Sequence, residues 1–267
     1  MPHVSSDPMK ARRARTTIVL AGFALVAGAC GGSQPTSNPP SPQPVANPAP
    51  IVKGQPYRPD LPPPEDFVPV IDNPYMPFIP GTRTVFEGVS DGQRERNVVV
   101  VTDRTKVILG VTTTVVHDQV FSASGDLAEG TFDWYAQDRF GNVWYFGEDT
   151  AEYANGKVSS TSGSWEAGVD GAQPGVVMLA QPTVGESYHQ EFLKGEAEDV
   201  GTVVALDDNI TVPYGSLDQI LVTEDTTPLE PQILEHKFYA PGMGVVMERV
   251  LRGGQEVSRL VSYTPPS

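Results

Sequence analysis

The stretch Thr131–Glu148, TFDWYAQDRFGNVWYFGE, leaves little choice of local structure. It consists of two runs of period two on either side of Asp138-Arg139-Phe140-Gly141, a pattern that suits strands and not a helix. Asp opens this turn and Gly closes it, and a left-handed Gly141 makes a three-residue loop with a bulge. That loop pairs Asp138 with Asn142. It therefore predicts the cross-strand pairs Ala136–Trp144, Tyr135–Tyr145 and Trp134–Phe146.

Side chains alternate across a strand, so the hairpin has two faces. Phe132, Trp134, Ala136, Trp144 and Phe146 form a large apolar face, expected to be core. Burying each such side chain contributes roughly 1.5–3 kcal/mol. Asp133, Tyr135, Gln137, Val143 and Tyr145 form an amphipathic face, expected to be a solvated outer surface with ordinary cross-strand Tyr pairing. It is also the one surface combining aromatic rings, an acid and an amide, so Asp133, Tyr135, Gln137 and Tyr145 are the ligand-binding candidates.

From Thr82 to Tyr263 no window shows sustained helical periodicity. Alternating strands recur instead, among them Thr82–Val89, Arg96–Val107, Val111–Ser122 and Lys157–Ser164. Gly215–Glu224, Leu234–Tyr239, Gly244–Leu251 and Glu256–Tyr263 complete them. Asn155-Gly156 is a two-residue hairpin turn. Val176–Gln181 reads as a short helical turn, and Asp207-Asp208-Asn209 as a capped turn. The expectation is all-β: an antiparallel meander of about ten to twelve strands with little helix. Such a meander curls into a curved sheet, half-barrel or barrel to limit its exposed edges.

The N-terminus follows different rules. Lys10, Arg12, Arg13 and Arg15 precede the apolar run Thr17–Val26, which is too short to span a membrane and is followed by small residues. Residues 1–29 read as a signal peptide. Residues 31–80 hold 16 of the 26 prolines. The first half of this stretch, polar, uncharged and nearly free of large apolar residues, cannot form a core, while the second half regains Phe67, Val68, Val70, Ile71, Tyr75, Met76 and Phe78. Residues 30–65 are expected to be a disordered tether reaching about 3.1 Å per residue when extended. Residues 66–267 form a single all-β domain whose lead-in, 66–81, lies along the fold.

Beyond residue 29 the chain carries 14 Lys and Arg against 32 Asp and Glu, a net charge of −18. That argues against nucleic acid and against electrostatic attachment to anionic lipid, while leaving a cationic ligand or divalent cation open. Cys30 is the only cysteine, so internal disulfides, thiol catalysis and zinc-thiolate sites are excluded. No G-x-S-x-G, phosphate loop, dinucleotide fingerprint, H-E-x-x-H or calcium loop occurs, and no cofactor or metal is expected. His117, His189 and His236 lie in strands, each beside an acid that must point to the opposite face. The acidic pairs Glu148-Asp149, Asp207-Asp208, Glu224-Asp225 and Glu196 with Glu198 read as solvated.

Ala27-Gly28-Ala29-Cys30 resembles the lipobox of bacterial lipoproteins. That implies a fatty-acylated Cys30, palmitate being one such acyl group, at the mature N-terminus on the outer side of the cell membrane. Val212, Pro213 and Gly215, with Phe238, Tyr239, Ala240, Pro241, Gly242 and Gly244, resemble the turns of TapB-like exported β-rich domains. This second resemblance covers about 40 residues, implies fold and export, and supplies no catalytic residue.

The expected function is that of a lipid-anchored extracytoplasmic protein without catalytic activity, binding a small amphipathic molecule, a glycan or an envelope protein. Two alternatives stand beside it. One is a hydrolase of envelope glycans using Asp133 and a neighbouring carboxylate, and the other is a structural component of an envelope complex.

Overall fold

The structure, a computed structural model, describes residues 47–48, 60–90 and 92–266. The signal peptide, Cys30 and most of the tether lie outside the described residues. Three short strands come first, β1 (Phe67–Val68), β2 (Ile71–Asn73) and β3 (Met76–Phe78), after a 3-10 turn at Pro64–Asp66. Long strands follow: β4 (Arg83–Ser90), β5 (Gln93–Ile108), β6 (Val111–Ser122), β7 (Leu127–Asp138) and β8 (Val143–Ala154). Short ones intervene, β9 (Lys157–Ser160), β10 (Trp165–Glu166), β11 (Gln173–Met178), β12 (Ser187–His189) and β13 (Glu191–Phe192). The chain ends in β14 (Val200–Val212), β15 (Gly215–Thr226), β16 (Leu234–Ala240), β17 (Gly244–Arg252) and β18 (Val257–Thr264). The expected all-β meander is what forms.

The ladder runs β14-β15-β16-β17-β18-β4-β5-β6-β7-β8-β11, antiparallel throughout. One segment, Ser187–Phe192, joins its two ends. β12 pairs with β14, and one residue later β13 pairs with β11. The sheet is therefore a nearly closed barrel whose seam switches partners at Gln190. Gly175 on β11 lies so close to the Gln190 carbonyl that a Cβ there would collide with it, so this seam needs glycine.

The two ends of the barrel differ. At one, the β2–β3 hairpin inserts Ile71, Met76 and Phe78 as buried plugs. Gln137 at the end of β7 clamps it, accepting from Asp72 N at 2.9 Å and Asn73 N at 2.8 Å and donating to Asp72 Oδ1 at 2.7 Å. The β16–β17 turn, carrying Pro241-Gly242, lies at this end, where Gly242 N donates to Pro74 O at 2.8 Å. The opposite end carries the β4–β5, β15–β16 and β17–β18 turns and no plug among the described residues.

The central hairpin keeps the expected turn: Gly141 has φ 100°, and Asp138 N donates to Asn142 O at 3.0 Å. Ala136–Trp144 and Tyr135–Tyr145 pair as expected, but Trp134–Phe146 does not. A bulge at Gly147, φ 126°, advances β8 by one residue and sets Glu148 opposite Asp133. The amphipathic face is not a solvated outer surface. Asp133, Tyr135, Gln137, Val143 and Tyr145 are all buried, because closure of the sheet makes that face the barrel interior. The aromatic face lies on the outer side of the sheet and is nonetheless buried, as expected. Trp134, Ala136, Trp144 and Phe146 are covered by Phe67, whose ring meets Trp144 and Phe146 edge-on, and by Lys106, whose Nζ lies 3.3 Å above Trp134.

Two smaller expectations also change. Val176–Gln181 supplies much of strand β11 rather than a helical turn, because its apolar run pairs with Trp144 and Val143. Asp207-Asp208-Asn209 lies within β14, where the register against β15 slips and Asp207 takes φ 65°.

A Cβ on Gly147 would collide with the Trp165 carbonyl in a backbone conformation that side chains rarely adopt. Gly147→Ala is expected to destabilise the domain by about 2–3 kcal/mol, lowering Tm by roughly 5–10 °C. Gly215→Ala, which meets nothing nearby, should leave Tm unchanged in the same thermal melts.

Candidate functional site

The four hairpin candidates lie inside the barrel. Tyr135 and Tyr145 stack at 4.7 Å, and Tyr145 Oη donates to Asp133 Oδ1 at 2.7 Å, with Asp133 0 % exposed. Trp165 meets Tyr145 edge-on and donates its Nε1 proton to Glu191 Oε2 at 3.1 Å. The space beside these groups is about 10 Å³, on the scale of one water and far below a sugar ring. Glycoside hydrolysis needs a sugar between two carboxylates, and Asp133 with Glu148 encloses none. Gln137 is engaged with the β2–β3 plug.

Burial raises the carboxyls of Asp133, Glu148 and Glu191 well above the ordinary range. Asp133 and Glu191 each reinforce Glu148, whereas the Tyr145 hydroxyl opposes the shift at Asp133. Burial likewise raises the phenols of Tyr135 and Tyr145. These groups are held towards their protonated forms, which makes them poor nucleophiles and poor bases.

The accessible chemistry is at the unplugged end. The inward residues of successive strands come into one ring by register: Asp225 opposite Glu235, Lys237 opposite Glu248, Glu248 opposite Ser258, and Ser258 opposite Gly88. They surround a cavity of about 220 Å³. Asp225, Glu235 and Glu248 form its wall; Glu95, Asp199, Glu230 and Glu256 complete the seven carboxylates of the lining, which has no Lys, Arg or His. Val89, Val120, Ile233 and Val250 supply apolar surface. A smaller recess of about 20 Å³ continues inward between Thr84, Asn97, Glu248 and Ser258.

Asp225 links this cavity to the seam. Its Oδ2 accepts from Gln190 Nε2 at 3.1 Å and pairs with Lys237 Nζ at 3.0 Å, while its Oδ1 is buried with no hydrogen-bond partner. Lys237 is 2 % exposed. Burial alone would lower its ammonium, but Asp225, Glu235 and Glu248 together hold it well above the usual range. Burial, then the charge of Glu248, pushes Glu235 up to about 8, and burial raises Glu248 as well.

None of these residues stood out as a site in the sequence. The available signal was parity: Asp225, Glu235 and Lys237 fall on the same face as buried Leu221 and Tyr239. His236 points the other way and pairs with Glu224 at 3.6 Å on the outside. His117 stacks on Phe132 there at 4.3 Å, and burial lowers both His117 and His189. Among the described residues no three His, Cys, Asp or Glu side chains are grouped as a metal ion would require.

No family model matches this chain, and no curated protein is similar to it. Two crystal structures are similar in chain course. A candidate exported protein with YmcC-like fold from Bacteroides fragilis is 15% identical with a TM-score of 0.40, covering 72% of this chain and 99% of its own. A candidate lipoprotein from Parabacteroides distasonis is 11% identical with a TM-score of 0.37, covering 71% and 98%.

Carboxyls raised by folding keep protons at pH values where the unfolded chain has already released them, so the folded state loses stability as pH rises. For Glu235 the window runs from its ordinary 4.5 to about 8. Denaturant melts of the full chain between pH 5 and 8.5 should show stability falling with pH, by at most about 1.4 kcal/mol per pH unit for each proton involved. Glu235→Gln should make that fall shallower. An identical slope in wild type and variant would exclude Glu235 as a contributor.

Proposed function

We propose that this protein is a lipid-anchored, extracytoplasmic binding protein without catalytic activity, whose barrel mouth takes up a small molecule. The observation that carries this reading is the cavity of about 220 Å³ at the unplugged end, with apolar and polar walls side by side. It exceeds the 150 Å³ or so that accommodates benzene in a protein interior. Small-molecule sites combine such apolar lining with a few placed polar groups. The resemblance of Ala27-Gly28-Ala29-Cys30 to a lipobox supports acylation at Cys30, and the Pro-rich segment behind it supports a tether holding the barrel off the membrane. The enclosed, protonation-biased carboxyls of the hairpin support a structural rather than hydrolytic role for Asp133 and Glu148.

Native mass spectrometry of the full chain, extracted in mild detergent from its own cells, tests the binding reading. The expected result is an added small-molecule mass that disappears in Val250→Trp, which fills the cavity from β17 while the thermal transition is retained. A wild-type chain with no added mass, or one whose added mass survives Val250→Trp, would overturn it. Cys30→Ala should move the protein from the membrane fraction to the soluble fraction.

A further inference from the structure

We propose that Lys237 and Asp225 become joined by an isopeptide bond, an amide between lysine Nζ and aspartate Cγ that staples β16 to β15 beneath the barrel mouth. This goes beyond the binding reading and does not depend on a ligand. Lys237 is the one buried Lys or Arg among the described residues, 2 % exposed, and its Nζ lies 3.0 Å from Asp225 Oδ2. At the surface such a pair would be an ordinary ion pair. Here both partners are out of solvent, Asp225 being 6 % exposed, and keeping a full charge on each is costly. An amide removes both charges and leaves the two side chains in place. Cys30 is the only cysteine, so no disulfide can staple these strands instead.

The register places the groups for condensation. Asp225 pairs with Glu235 and Thr223 with Lys237, so the two reactants are diagonal neighbours on one face of adjacent antiparallel strands. Glu248 stands opposite Lys237 on the other side. In the step, the Lys237 ammonium gives up two protons, Nζ bonds to Cγ, and the Cγ–Oδ1 bond breaks. Oδ1 takes both protons and leaves as water. One ammonium and one carboxylate thus become one amide and one water, with no oxidant or other reactant. Oδ1 is the oxygen without a hydrogen-bond partner, whereas Oδ2 stays as the amide carbonyl and keeps its hydrogen bond from Gln190 Nε2, now 3.1 Å. The surrounding acids hold Lys237 as an ammonium, so attack needs a proton acceptor at hand. That acceptor is the carboxylate under attack. Burial holds Glu248 towards its protonated form, so this carboxyl can return a proton to the departing oxygen as it takes one from nitrogen. Holding both reactants in contact substitutes for an effective concentration on the order of 10⁵ M or more. The released water has an exit, because Asp225 and Glu248 both line the mouth cavity.

Tryptic mapping of the folded, then denatured, full chain by mass spectrometry tests the proposal. No Lys or Arg lies between Lys194 and Lys237, and Arg249 is the next one after them. An unlinked chain therefore yields peptides 195–237 and 238–249. The linked chain should yield 195–249, uncut at Lys237 because trypsin needs the free ammonium, and lighter than its sequence by about 18 Da, one water. Cleavage of that peptide after Glu235 should leave its two pieces joined. A succinimide at Asp91-Gly92 or Asp170-Gly171 also removes a water, but in other peptides. Glu248→Gln keeps both partners of the bond and should reduce the linked fraction at least tenfold. Lys237→Arg should abolish the mass loss. Peptide 195–237 at full mass in the wild-type chain would overturn the proposal and leave the contact an ion pair. A link formed in full in Glu248→Gln would remove Glu248 from the step.

Discussion

One buried carboxylate ties together the closing seam of this barrel and the lysine beside it. Asp225 Oδ2 holds Gln190, the residue at which the closing segment changes partners, and holds Lys237 beside it. Its Oδ1 is buried with no hydrogen-bond partner, while the residue lines the mouth cavity. Buried ion pairs scarcely offset their own desolvation, so the pair does little for net stability. Its consequence is positional. A seam of five short pairings, two on β11 and three on β14, could slip by a residue, and a fixed buried acceptor on β15 specifies where Gln190 must lie.

Closure then decides everything about the interior. A ring of strands has one inside. Here that inside holds tyrosines, carboxyls and a lysine beside Trp165, Phe78 and Phe86, while Trp134, Trp144 and Phe146 lie on the outer side of the sheet under their own cover. The arrangement is tolerable because each interior acid has a proton or a donor: Tyr145 for Asp133, Trp165 for Glu191, Asn97 for Asp118 at 3.1 Å. The outer rings are covered in turn by Phe67, Lys106 and Glu166, the last two joined at 2.7 Å. With one end plugged by β2–β3, whatever the barrel binds must enter at the other, and the charge there follows from which strand positions end the ring.

The sequence made most of the long strands legible, because period-two runs and Asp–Gly or Asn–Gly turns are local properties, while β11 and the continuation of β14 through Asp207-Asp208-Asn209 were not. Gly141 and Asn155-Gly156 take the positive φ angles their turns require. What alternation cannot reveal is which face closes inward. Two distant features settle that: the lead-in strand, which lays Phe67 on the aromatic face, and the seam at Gln190. Gly147 was similarly opaque, since its bulge answers to the carbonyl of Trp165 in β10 and to no neighbour in sequence. The mouth acids were hidden for a different reason. Glu224-Asp225 and Glu235-His236-Lys237 look like solvated charge, and only the register that sets Asp225 opposite Glu235 distinguishes the inward members from Glu224 and His236.

The most direct measurement is a crystal structure of the full chain purified from its own cells. The expected result is density for a small molecule in the mouth cavity against Val120 and Val250, with Gln190 and Lys237 both held by Asp225. A mouth filled by the protein's own side chains, or an Asp225 that holds neither Gln190 nor Lys237, would contradict it.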